Sequence, residues 1–107
     1  MRVLLLGLFA LFFSFNTLAQ TMTGQQLLSG LELPNSDPNK LQYAKVVGDI
    51  TFKWEGQSHC KPEGATVGQA IAITEKFLKA NPEVWHLSAY DITGVALGQS
   101  WPCKKKL

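Results

Sequence analysis

The chain has 107 residues, 46% of them hydrophobic, and a formal net charge of +2. About three quarters of residues 1–19 are apolar against about two fifths of residues 20–107, so the average describes neither piece. The second piece is long enough for one small domain and excludes a two-domain enzyme or a doubly wound nucleotide-binding fold. It contains no Arg, and three of its nine Lys form the terminal run Lys104, Lys105 and Lys106. A nucleic-acid binder spreads Lys and Arg over a face, so none is expected as a partner.

Residues 1–19 open with Met1 and a single Arg2, run apolar from Val3 to Phe15, turn polar at Asn16 and Thr17, and end in small residues at Ala19. This order is that of a secretory signal peptide, and it predicts an exported domain over residues 20–107. The apolar run of about 13 residues falls short of the roughly 20 needed to span a bilayer, so no stable membrane anchor is expected.

The exported part reads as all-α, a small array of four helices of roughly 8, 16, 15 and 17 residues. Residues 23–31 form the first, with Thr23 as N-cap and Leu27, Leu28 and Leu31 on one side. After the polar break at 33–36, Asp37 and Pro38 suit the start of the second helix. Its apolar face is expected to be Tyr43, Val46, Val47, Ile50 and Trp54. Gly48 and the run Ile50–Phe52 weaken the helical signal there and leave a strand open.

Residues 55–65 carry two Gly and a Pro and read as a loop. Thr66 and Gln69 then form a capping box for a third helix, whose stripe is Val67, Ala70, Ile71, Thr74, Phe77 and Leu78. Asn81 and Pro82 end that helix and begin the fourth, which is expected to run to about Trp101 with Trp85, Ser88, Ala89, Ile92, Val95, Ala96 and Gln99 on its inner face.

Cys60 and Cys103 are the only cysteines. In an oxidising compartment they are expected to pair, closing a loop of about 43 residues worth up to about 4 kcal/mol in the chain-entropy account. That bond ties the open end of an antiparallel hairpin made by the last two helices. His59, Cys60, His86 and Cys103 are zinc-ligand types, but adjacent His59 and Cys60 do not readily share an ion and no paired-ligand spacing is present.

No cofactor or metal is therefore expected, and no catalytic residue is assigned. His59 is read as lying in an exposed loop, His86 as a boundary residue, and Ser58 and Ser100 have no evident base partner. A binding protein remains.

Residues 59–69, His-Cys-Lys-Pro-Glu-Gly-Ala-Thr-Val-Gly-Gln, are followed by Phe77-Leu78, Asn81-Pro82-Glu83, His86, Ala96-Leu97 and Trp101-Pro102-Cys103. Together these resemble the Rap/Tai immunity family. The resemblance covers about half of residues 20–107, and this chain lacks the second cysteine pair that many members carry in the N-terminal half.

The resemblance implies a small helical periplasmic protein, often a homodimer. It would neutralise a peptidoglycan amidase delivered by type VI secretion by blocking the active-site groove with a loop or helix edge. The partner-binding candidates are the 55–65 loop, through Gln57, Ser58, His59 and Lys61, and the 34–40 turn. The competing reading is a periplasmic accessory or structural protein with the same stapled fold and no amidase partner. An adjacent gene for a small secreted amidase would separate the two.

Overall fold

A computed structural model describes residues 22–104. The expected signal segment and the last three residues lie outside this range.

Four helices follow in order: α1 (Gly24–Leu31), α2 (Lys40–Lys53), α3 (Val67–Ala80) and α4 (Ala89–Ser100), with a 3₁₀ turn at Pro82–Val84 between α3 and α4. The described residues contain isolated bridges, at Thr23 with Ser88 and Glu55 with His59, and no named strand. The all-α expectation holds, and the helical alternative prevails at Ile50–Phe52.

Two helix starts follow directly from local sequence. The Thr23 hydroxyl accepts from Gln26 N (3.3 Å) while the Gln26 side chain accepts from Thr23 N (2.9 Å), and Thr66 and Gln69 repeat the arrangement at 3.1 and 2.8 Å. Each box satisfies two backbone donors that a helix start would otherwise leave bare.

Each pair among the four helices is in contact. The core between them is built from Leu27, Leu31, Val47, Ile50, Leu78 and Leu97, with Trp101 closing one end. Each large aliphatic side chain fully buried there contributes about 1.5–3 kcal/mol. Three threonines also belong to this interior. Thr51, Thr74 and Thr93 are fully buried, and each hydroxyl donates to the carbonyl four residues earlier, on Val47, Ala70 and Ala89. The back-bond removes the polar cost, so each behaves as a small β-branched core residue.

Three expectations are corrected. The second helix begins at Lys40 rather than Pro38, because the Asp37 carboxylate accepts from Asn39 N (2.9 Å) and holds 34–39 in turns. Its expected face ends early: Val46, Val47 and Ile50 are buried, whereas Trp54 is 45% exposed.

The fourth helix is interrupted over Trp85–Ser88, and its physical cause is tertiary. Gly24 N and Gln25 N at the start of α1 donate to the carbonyls of Leu87 and Trp85 (2.9 and 3.0 Å), and Ala89 N donates back to the Met22 carbonyl (2.9 Å). Backbone groups that a continuous helix would use internally thus satisfy the bare N-terminus of α1. The restart at Ala89 shifts the buried stripe to Ala89, Ile92, Thr93, Ala96 and Leu97, leaving Val95 52% exposed and Gln99 exposed.

Cys60 and Cys103 are disulfide-bonded, with Cα atoms 4.8 Å apart. Cys60 N also donates to the Trp101 carbonyl (2.8 Å). The loop before α3 is therefore fastened to the end of α4 by a covalent and a hydrogen bond.

Candidate functional site

The residues after α2 form a tight loop. Gln57 N and Ser58 N both donate to the Trp54 carbonyl (2.9 and 3.1 Å), and Gly56 N donates to the His59 carbonyl (2.7 Å). Gly56 has φ +85°, a conformation that costs glycine little and other residues much. Two local signals, glycine and the cysteine anchor, thus prepare a closed turn.

At its centre lies His59, and here the expectation of an exposed histidine is overturned: its side chain is 0% exposed. Nε2 sits 2.9 Å from the Thr51 carbonyl and Nδ1 sits 2.7 Å from Ser58 Oγ. A carbonyl only accepts, so Nε2 carries the proton and donates to it. In the neutral ring Nδ1 is then the acceptor, and the Ser58 hydroxyl donates to it.

The Thr51 carbonyl is one of the last four of α2, which no intrahelical amide reaches. His59 therefore caps the C-terminus of α2 with a side chain that lies eight residues ahead. Its ring also packs against Trp101, with centroids 6.2 Å apart. The Glu55 carboxylate is 3.5 Å from Nε2 and accepts from Lys61 N (2.9 Å), so it braces both ends of the turn.

A Ser–His contact of 2.7 Å supplies the base partner for Ser58 that sequence reading does not find. It has the form of an activated nucleophile. However, the amides of Gly56, Gln57 and Ser58 are all committed to carbonyls of the turn, which leaves none of them to stabilise an oxyanion. The pair fixes the direction of a hydroxyl.

That hydroxyl lines a groove of about 650 Å³ between the loop and α4. Ile50, the aromatic rings of Trp54 and Tyr90, Gly94 and Gly98 line its walls, and Asp91 is the only lining carboxylate. Trp54, Tyr90 and Val95 are 45, 48 and 52% exposed and line the same groove. Gly98 is required by close approach: a Cβ there would lie 2.5 Å from the Ser58 carbonyl oxygen.

Among the expected partner-binding residues, Gln57 and Ser58 are exposed and Ser58 faces the groove. His59 lies behind them. Lys61 is half-buried, its Nζ donating to the Ala65 carbonyl (3.2 Å). The 34–40 turn is held by its own contacts, including Lys40 Nζ on Asn35 (2.8 Å). Sequence reading missed Tyr90, Asp91 and Val95 because it assigned them no outward groove, and the shifted α4 stripe is what turns Val95 out.

Of the other tryptophans, Trp101 is buried, and Trp85 is half-buried with its indole N–H donating to the Leu78 carbonyl (2.6 Å). A second, shallower apolar face lies on α2, where Leu41 and Phe52 are 68 and 65% exposed.

The described residues thus form a small helical array stapled by one disulfide, with an open apolar groove between the 54–60 turn and α4. The family model of the Rap1a immunity proteins matches residues 23–103, and the chain belongs to that family. Neither a curated protein nor a solved structure gives a significant match. Membership implies an inhibitor that binds a cognate effector rather than an enzyme.

Proposed function

We propose that this protein is a periplasmic immunity protein that binds a type VI secreted peptidoglycan amidase and occludes its active site. Residues 1–19 act as the export signal and are removed. The observation that carries the reading is the family match across 23–103, which spans all four helices and both cysteines. The stapled turn supports it, since a rigid loop loses little entropy when it enters a cleft.

The contact surface is the groove and its rim, through Gln57, Ser58 and the outer edge of α4, with Lys61 flanking. His59 holds the loop in shape from within. The α2 face around Leu41 and Phe52 serves self-association into a homodimer, with Lys45 and Asp49 beside it as oppositely charged rim residues. Light scattering of the exported chain tests that assignment by mass.

The functional test exports the chain together with individual periplasmic amidases. Suppressed lysis and a complex that survives gel filtration are expected for the cognate enzyme. If no amidase is bound and lysis is never suppressed, the reading is wrong.

A further inference from the structure

We infer that the groove between the 54–60 turn and α4 receives an arginine side chain from the partner protein. The inference rests on the reading that this face binds an effector, and it specifies what the effector must present.

Charge is the first argument. Asp91 is the only carboxylate among the groove residues, and among the described residues it takes part in no ion pair. It sits in the first turn of α4, where the helix dipole suits a carboxylate. A buried interface that covered this group without a cation would leave a desolvated, uncompensated charge.

Hydrogen-bond polarity is the second argument, and it comes from His59. In the neutral ring, with Nε2 donating to the Thr51 carbonyl, Nδ1 accepts from the Ser58 hydroxyl, and Ser58 Oγ is left with acceptor capacity only. The groove thus offers a carboxylate and an acceptor-only hydroxyl. That is the complement of a group carrying several donors and no acceptor.

The walls make the choice between lysine and arginine. Trp54 and Tyr90 present exposed aromatic surface beside these acceptors. A guanidinium is planar, weakly hydrated, stacks on aromatic faces and can reach two acceptors with one fork, whereas an ammonium remains strongly hydrated.

The test uses the amidase neutralised in co-expression, with binding measured by calorimetry over a range of salt concentrations. Asp91→Asn is expected to weaken binding about tenfold and to flatten its salt dependence. Asp91→Glu should restore much of the loss, while both variants keep the melting temperature within a few degrees. Ser58→Ala should weaken binding less. Asp91→Asn binding within twofold of the parent, with the same salt slope, overturns the inference while leaving the immunity reading intact.

A second measurement needs no effector. N-acetyl-arginine amide and its neutral citrulline counterpart are titrated into the exported chain while the Trp54 indole and the Gly94 and Gly98 amides are followed by NMR. Shifts produced by arginine alone, and lost in Asp91→Asn, support the assignment. An equal response to both compounds, or no response to either, overturns it. So does a doubled mass in solution that Asp91→Asn or Trp54→Ala reduces to that of one chain, which would give the groove to a second copy.

Discussion

Replacing His59 by phenylalanine keeps a ring of similar size against Trp101 but removes both nitrogens. Ser58 lies at the rim, so its hydroxyl turns to water at little cost. The Thr51 carbonyl is different: it is buried at the end of α2, and the ring supplies its hydrogen bond at 2.9 Å. An orphaned buried acceptor costs about 1–3 kcal/mol, so about 2 kcal/mol is expected for His59→Phe. His59→Ala loses the same bond and the ring volume, and a partly collapsed cavity adds about 2 kcal/mol more.

The assay is urea unfolding of residues 20–107 with the disulfide intact, followed by circular dichroism. For a domain of this size the His59→Phe loss corresponds to a fall of about 8–16 °C in melting temperature. Nearly equal losses in the two variants would mean that packing contributes little and the hydrogen bond nearly all. A His59→Phe loss below about 0.5 kcal/mol would refute the capping role outright, because the Thr51 carbonyl would then have found another donor.

Gly98→Ala places a methyl group 2.5 Å from the Ser58 carbonyl, against backbone that the disulfide holds in place. A loss of about 1–3 kcal/mol is expected, together with weaker effector binding, because the turn must lift off α4. Retention of both stability and affinity in calorimetry would show that the turn yields freely. Reduction of Cys60–Cys103, which closes a 43-residue span, should lower the urea midpoint by the equivalent of up to about 4 kcal/mol. An unchanged midpoint in dithiothreitol would show that the hydrogen bonds alone hold the loop.

Much of the fold was legible because its signals are local. Thr23 and Thr66 announce helix starts through contacts with residues three positions away, and the 3.6-residue period places Val46, Val47, Ile50, Ala70, Thr74 and Leu78 inward. The cysteine pairing was legible for another reason: two cysteines allow only one intramolecular bond. The groove was less so. Ser58 was identified in the right loop, but Tyr90, Asp91 and Val95 were not seen to share its surface.

The amino-acid sequence by itself determined the helical class, the Thr23 N-cap, the Thr66–Gln69 capping box, the staple and the resemblance that led to the family. Only the tertiary structure decided where α4 begins and what His59 does. In both places a backbone group is satisfied by a residue far along the chain: the α1 amides by the carbonyls of 85 and 87, and the end of α2 by an imidazole. Periodicity counts neighbours along one helix and is blind to such partners. Hydrogen-bond satisfaction in a buried setting outweighs the intrinsic preference of any single segment, so it is settled only when the helices meet.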